Sequence, residues 1–457
     1  MKVLKFGGTS VGTSKSLAHV KKIVEGLNGP AIVVVSALGG LTDRLISTAN
    51  DAAAGNAAYK NNMDGIANRH YDIISETIDP CKQKEVIDII SPMLADLSDL
   101  YDGVALIRNL PEKTLDRIVS YGERISSVIV SRIIAGAKHF DSTTFIKTEK
   151  WFNKNIADSK LTDSLIRQAF GSFGNGVAVC GGFIATDRDN GEITNLGRGG
   201  SDYTAALIAA SLNADELEIW TDVDGFMTAD PRIISNAKVI DHLSFVESME
   251  LCSFGAKVIY PPTIYPVFHK NIPIRILNTF NHEAPGTWIT DNRDSAPSGC
   301  IPKGATTMRN ISLFTIEGDA ADNTPDVNSR TFNTLAKNGI SVILVSQSVE
   351  RSSFSFALSE HDADNALKAL LNEFAPDMEE GRINRIARHD NKAILAIVGE
   401  NIGDISSIGP RIFNSLQRQG IEVLASSHGA SSSNHAYVVD ADDTNHALQA
   451  VHEIFFE

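Results

Sequence analysis

Val3-Leu4-Lys5-Phe6-Gly7-Gly8-Thr9-Ser10 stands at the start of the chain, and Ala31-Ile32-Val33-Val34-Val35-Ser36 follows it. Val3–Phe6 is a short apolar strand that ends in paired glycines. Ser16–Leu27 then has helical spacing, with Leu17, Val20, Ile23, Val24 and Leu27 on one side. Ala31–Ser36 is almost wholly apolar, as in a strand covered on both faces. Strand, helix and buried strand in this order predict an α/β chain around a doubly covered sheet.

Outward from this unit, residues 50 to 135 read as mainly helical. Ile87, Ile89, Ile90, Met93, Leu94 and Leu97 form a broad apolar stripe there. Strands are expected again at Ser142–Lys147, Val177–Gly181 and Glu216–Trp220, with Ile272–Leu277 the last clear strand of this half. The polar stretch Asn281–Ser298, with Pro285 and Pro297, reads as a domain boundary.

The last third repeats itself at an offset of 81 residues. Arg330-Thr331-Phe332-Asn333-Thr334-Leu335 recurs as Arg411-Ile412-Phe413-Asn414-Ser415-Leu416, and Gly339-Ile340 as Gly420-Ile421. Ala366-Leu367 and Ala369 recur as Ala447-Leu448 and Ala450, and Gly318 maps to Gly399. One offset throughout marks two copies of one unit. Each copy reads strand, helix, strand, strand, helix, which suits a ferredoxin-like βαββαβ module. The final strand of each copy is not evident, so strand exchange between the copies stays open.

Composition narrows the function classes. Of 457 residues, 43% are apolar and 21% charged, values of an ordinary globular chain of two or three domains. The net charge of −15, without a basic run, speaks against nucleic acid or an anionic membrane as partner. Cys81, Cys180, Cys252 and Cys300 lie far apart, so no metal-ligand spacing appears. Few cysteines, no N-terminal apolar segment and no membrane-length run point to a cytoplasmic protein.

Four segments can carry chemistry. Lys5-Phe6-Gly7-Gly8-Thr9-Ser10 joins a strand to a helix, where paired glycines let amides approach a phosphate and Lys5 adds a cation. Thr13 stands where a Walker A loop needs Lys, so that loop is excluded, and a plain glycine turn fits equally well. Ser36-Ala37-Leu38-Gly39-Gly40-Leu41-Thr42 follows a buried strand, the place where open α/β sheets bind ligands, although taken alone it reads better as an ordinary strand-to-helix loop. Gly197-Arg198-Gly199-Gly200-Ser201-Asp202-Tyr203-Thr204 combines a guanidinium fork, amides and a hydroxyl suited to a carboxylate or phosphate. Thr221-Asp222-Val223-Asp224-Gly225, with Asp230-Pro231-Arg232 and Phe254-Gly255-Ala256-Lys257, offers carboxylates for a ribose or magnesium shell and cations for phosphates, but not the spacing of an EF-hand.

In this order the four segments resemble the amino-acid kinase family over essentially the whole chain, and within it the aspartokinases. The offset repeat resembles the paired ACT modules of those enzymes. The resemblance implies a carbamate-kinase-like α/β sandwich with a mostly parallel central sheet at 1–295, and ferredoxin-like ACT modules at 305–385 and 386–457. It implies transfer of the ATP γ-phosphoryl group to the side-chain carboxylate of L-aspartate, the first step of lysine, threonine and methionine biosynthesis. That carboxylate is ionised at neutral pH, so the absence of a Ser/His/Asp or Cys/His signature is consistent with positioning and charge neutralisation alone.

By the same resemblance Lys5 and Asp202 are catalytic, and Thr42, Glu123, Arg198 and Ser201 bind aspartate. Lys5, Gly7, Gly8, Ser10, Thr221, Asp222, Arg232 and Lys257 bind ATP, accompanied by Mg2+ without a dedicated protein metal site. From its residues alone, Glu123 in Tyr121-Gly122-Glu123-Arg124 reads as a solvated helix carboxylate. Met227 departs from the Tyr that many relatives carry. Ile343, Gln347 and Ser348 fall on the effector strand and loop. Lysine-sensitive relatives often carry Asp where Ile343 stands, so threonine is favoured over lysine, although His428 in the second copy departs from the threonine pattern. A homodimer through the ACT modules is expected. Because the chain stops at Glu457, it reads as monofunctional beside relatives fused to homoserine dehydrogenase.

Overall fold

The structure, a computed structural model, describes all residues except 152–153, 172, 292–301, 319–323, 349–352, 401, 403–407, 429–432 and 457. Two compact units emerge: Met1–Phe226 with Asp241–Phe245 and Val258–Asn292, and Met227–Ile240 with Val246–Lys257 and Arg293–Glu457.

The first unit begins with β1 (Lys2–Phe6), α1 (Gly8–Val11), α2 (Ser14–Glu25) and β2 (Ala31–Val35). A helical stretch follows: α3 (Leu41–Ala53), α4 (Ala58–Thr77), α5 (Pro80–Ile107) and α6 (Glu112–Ile133). Then come β3 (Lys138–Phe140), β4 (Lys147–Trp151), β5 (Lys154–Ala157), α7 (Ser159–Phe170), β6 (Val177–Gly181), β7 (Ile184–Asp187), β8 (Ile193–Asn195), α8 (Gly200–Leu212) and β9 (Glu216–Thr221). Next in the chain are β10 (His242–Leu243), α9 (Phe245–Ser253), α10 (Ile264–Phe268), β11 (Ile274–Asn278) and β12 (Thr287–Ile289), of which all but α9 belong to this unit.

An eight-stranded sheet runs in the order β10-β12-β11-β9-β1-β2-β6-β3. Pairing is parallel from β11 through to β3, and β12 is antiparallel to β11. All five residues of β2 are buried, as expected of a central strand with both faces covered. A smaller sheet, β5-β4-β7-β8, carries the chain towards α8.

Two sequence expectations fail here. Ser142–Lys147 is not a strand: Ser142–Thr144 form a 3-10 turn whose start is capped by the Asp141 carboxylate, which accepts from the Thr143 amide at 3.0 Å. Short polar side chains compete with the ladder for the backbone, so the strand begins only at Lys147. Nor is Ile272–Leu277 the last strand, because Thr287–Ile289 pairs with β11 inside the polar stretch read as a boundary. Three residues are too few to show alternation. The end of that stretch, 292–298, lies outside the described residues, as does Cys300.

In the second unit, β13 (Gly304–Gly318), α11 (Thr324–Lys337), β14 (Val342–Ser348), β15 (Ser353–Ser359) and α12 (Ala363–Glu379) form the first copy. β16 (Ile383–Val398), α13 (Gly409–Arg418), β17 (Ala425–His428), β18 (Asn434–Asp440) and α14 (Thr444–Phe456) form the second. All six strands make one sheet, β14-β15-β13-β16-β18-β17. Both long strands are shared. Ile311–Glu317 pairs with β15 and, through Gly318↔Ile383, with the start of β16, completing the first module. Gly304–Met308 pairs with Val398–Ile394, so the missing fourth strand of the second module comes from residues before the first. Ala305 is accordingly buried in the second module's core.

The repeat holds in side-chain contacts. Arg330 donates to the Glu373 carbonyl at 3.0 Å and lies 4.7 Å from the Phe374 ring centre. Arg411 donates to the Ile454 carbonyl at 2.5 Å and lies 4.5 Å from the Phe455 ring centre. Each arginine thus clamps its module's two helices by the same pair of contacts.

Candidate active site

A cleft of about 330 Å³ opens beyond the carboxyl ends of β1, β2 and β6. Lys5, Gly8, Thr42, Glu123, Arg198, Ser201 and Asp202 all line it, so residues spread over 198 positions of chain converge. Convergence follows from parallel pairing, which brings the ends of β1, β2 and β6 to one edge.

Three loops build the walls. Gly8 and Gly39 are in contact: a Cβ on Gly39 would lie 3.0 Å from the Gly8 carbonyl oxygen, so a larger residue would force the two loops apart by a few tenths of an ångström. Arg69 of α4 locks the contact, donating through Nη2 to the Gly12 carbonyl at 3.1 Å and the Gly39 carbonyl at 2.8 Å. Sequence reasoning missed Arg69, which reads as one more polar residue on a helix. The loop at Ser36–Thr42, which taken alone reads as an ordinary connector, lines the cleft. It ends at left-handed Gly40, which caps α3, and Gly199 caps α8 in the same conformation. Both helix N-termini are at the cleft, where unpaired amides and the helix dipole favour anionic groups.

Lys5 projects from β1 and its Nζ lies 2.6 Å from Asp202 Oδ1 in the first turn of α8. Both side chains are 12% exposed, so the pair meets the cleft yet is largely screened from bulk water. Ser201 is held by close packing, since a Cβ on Gly182 would lie 2.6 Å from its Cα. Phe183, also missed, lines the cleft with φ +68, a left-handed conformation rare for a bulky residue. Its amide donates to Thr204 Oγ1 at 3.0 Å, which helps hold that conformation.

Glu123 of α6 is buried rather than solvated. Gly122 lets α6 reach the neighbouring loop, because a Cβ there would lie 2.7 Å from the Ala37 Cβ. Burial pushes the Glu123 carboxyl up to about 8, against the pull of the Ala37 amide, its own amide and Lys5. Its Oε2 has no hydrogen-bond partner, so one oxygen awaits a donor from the cleft. Arg198 is exposed and makes no ion pair among the described residues.

The expected nucleotide residues are placed differently. The Gly7 amide donates to the Trp220 carbonyl at 3.1 Å, tying the first glycine loop to the end of β9. Thr221 and Asp222 follow there, with Thr221 Oγ1 donating to Asp222 Oδ1 at 3.3 Å. Ser10 does not face the cleft: it is fully buried and its hydroxyl bonds Thr279 Oγ1 at 2.7 Å. Its role is to fasten the loop to the sheet. Arg232 and Lys257 belong to the second unit, where Arg232 is 83% exposed and forks onto Asp230 at 2.7 and 3.0 Å. Arg232 holds the Asp230 carboxyl below its ordinary value, with a smaller contribution from Lys257.

In the first repeat module, Ile343 of β14 packs as a partly buried apolar residue beside the core containing Ile311, Leu313 and Leu344. Gln347 and Ser348 are in the same strand, but their side chains lie outside the described residues. His428 is exposed on β17, with its ring 4.5 Å from that of His435. Among the described residues, no cluster of three or more His, Cys, Asp or Glu is arranged to hold a metal. None of their helices is long and apolar enough to cross a membrane.

The amino acid kinase family model matches residues 1–278, and an ACT domain model matches 314–374 and 395–455. The chain is 32% identical over 469 residues to the bifunctional aspartokinase/homoserine dehydrogenase of Buchnera aphidicola, covering all of this chain and 56% of that protein. It is 30% identical over 468 residues to the chloroplastic aspartokinase 3 of Arabidopsis thaliana, covering all of this chain and 81% of that one. The chain spans about half the length of the bifunctional relatives it matches, 50 to 56%. Among solved structures, Escherichia coli aspartokinase III in complex with aspartate and ADP matches with a TM-score of 0.86 at 28% identity, each chain covered fully. The same enzyme in complex with lysine and aspartate matches at 0.77.

Proposed function

This chain belongs to the amino acid kinase family, in its aspartokinase branch with paired ACT domains, and we propose that it phosphorylates L-aspartate from ATP. The observation that carries the reading is the Lys5–Asp202 pair, set in one cleft with buried, half-unpartnered Glu123 and uncommitted Arg198. The E. coli neighbour solved with aspartate and ADP supports the same substrates.

The bond between the γ-phosphorus and the β,γ-bridging oxygen breaks, and a bond to an aspartate side-chain oxygen forms. ADP and 4-phospho-L-aspartate leave. The acceptor carboxylate, with an ordinary pKa of about 3.9, is already ionised, so no general base acts. Catalysis falls to positioning and charge neutralisation. Lys5 neutralises the transferring phosphoryl oxygens, and Asp202 holds the ammonium in place until they arrive. Arg198 clamps the α-carboxylate with Ser201 and Thr42 beside it, and Glu123 Oε2 receives the ammonium. The first glycine loop, Thr221 and Asp222 take the nucleotide. Mg2+ accompanies ATP and would offset the phosphate charge during transfer.

The ACT pair forms a homodimer and senses an amino acid. Edge strand β14 has Val345 exposed, an edge suited to a second copy. Ile343 offers no carboxylate for a lysine ammonium, which favours threonine. ADP release from Mg-ATP with aspartate, glutamate or no acceptor, each with and without threonine or lysine, tests the whole reading. Aspartate-dependent turnover inhibited by threonine is expected. Acceptor-independent or glutamate-only turnover refutes the substrate, and an unchanged rate and melting temperature with threonine refutes the effector.

A further inference from the structure

Arg198 sits in a loop poorly suited to holding a side chain still. Gly197 and Gly199 on either side are both left-handed, with φ +70 and +69, and Arg198 is exposed. One polar side chain fastens this loop to a regular element. Asn195, at the end of β8, accepts from the Gly197 amide through Oδ1 at 2.9 Å. Its Nδ2 donates to Asp116 Oδ1 at 2.5 Å. Both ends of the amide are therefore engaged, one by the loop and one by α6. Asp116 is two turns before Glu123 on that same helix, a spacing of seven residues that puts both carboxyls on one face. Lys113, a further three residues back, pairs with Glu192 at 2.5 Å and holds the β7–β8 hairpin to α6 a second time.

We propose that Asn195 is a positioning residue that sets the reach of Arg198 from α6, so that one rigid helix fixes the spacing between the groups that grip the two ends of the amino-acid substrate. The inference rests on the aspartate kinase reading for its substrate, but not for the anchor itself. A helix rises about 1.5 Å per residue and bends little. The separation of an ammonium site on α6 and a carboxylate site hung from α6 is thereby set by the helix rise and the two hydrogen bonds of Asn195. An α-amino acid fits that gauge, whereas an acetylated amino acid lacks the ammonium that Glu123 would meet. Burial, with Glu112 nearby, pushes the Asp116 carboxyl up to about 6. Protonated or ionised, it keeps an oxygen able to accept from Asn195.

The test compares wild type, Asn195→Ala, Asp116→Leu and Asp116→Asn. Amide hydrogen exchange of the unliganded protein reads the anchor. Exchange at Gly197 is expected to quicken about tenfold in Asn195→Ala, the equivalent of one lost hydrogen bond. Steady-state kinetics reads the gauge: Asn195→Ala and Asp116→Leu raise the aspartate KM about tenfold and leave the ATP KM within about twofold. Asp116→Asn, which keeps an acceptor oxygen, stays near wild type in both. Unchanged exchange, or an ATP KM that rises as far as the aspartate KM, overturns the proposal. Should Asn195→Ala not fold, Asp116→Leu, on a different element, decides by the same two readouts. A wild type without aspartate turnover refutes the kinase reading alone, and hydrogen exchange then still decides the anchor.

Discussion

Replacing Glu123 by Gln isolates the most deeply buried acid of the cleft. The carboxyl moves from an ordinary value of 4.5 to about 8 in the folded chain. Between those values the folded protein holds a proton that the unfolded chain has released. Stability therefore falls as pH rises, by about 1.4 kcal/mol per unit, reaching about 5 kcal/mol across the window. Below 4.5 the carboxyl is protonated in both states and costs nothing further. Glutamine keeps the shape and cannot ionise, so E123Q lacks this slope. Each kcal/mol moves the melting temperature of a domain of this size by roughly 2–4 °C. Melting of both proteins by calorimetry, without ligand, at about pH 5 and about pH 8.5 should show E123Q gaining on the order of 10 °C on wild type between the two. Saturating aspartate should shrink that gain, because its ammonium stabilises the ionised carboxylate. A difference in melting temperature that stays constant with pH refutes the protonated buried acid.

Other consequences are more direct. Lys5→Ala should lower kcat by about 100-fold or more while raising the aspartate KM far less, since a preorganised cation matters most as charge shifts; normal turnover removes Lys5 from the mechanism. Arg198→Ala should raise the aspartate KM roughly 10- to 100-fold, the value of a charge-assisted fork, and an unchanged KM would count against the clamp. Gly182→Ala would place a Cβ 2.6 Å from Ser201 Cα; a loss of about 1–3 kcal/mol in stability is expected, measured by denaturant unfolding. Arg330→Met should lower the melting temperature of the second unit more than Arg411→Met. Both lose a clamp between helices, but Arg330 also pairs with Glu373 and Asp377 at 2.8 Å, and the Asp377 carboxylate is only 10% exposed. Equal shifts would show that the carboxylates add nothing.

Local chemistry was legible in the sequence where it repeats or where one backbone conformation needs one residue. An unbroken, strand-length apolar run such as Ala31–Val35 reads as a strand covered on both sides. Gly8, Gly39 and Gly40 stand where amides must crowd together or the chain must turn left-handed. The offset of 81 residues reappears as matched arginine clamps because similar local sequences pack similar helix pairs. Tertiary structure alone decided the burial of Glu123, since nothing near Tyr121-Gly122-Glu123-Arg124 distinguishes a solvated helix carboxylate from a buried one. It also turned Ser10 towards Thr279, recruited Arg69 to two carbonyls, and gave residues 304–308 to the second module rather than the first. Each of these depends on which distant segment arrives alongside. Strand pairing and burial are set by that arrival, and no window of neighbouring residues contains it.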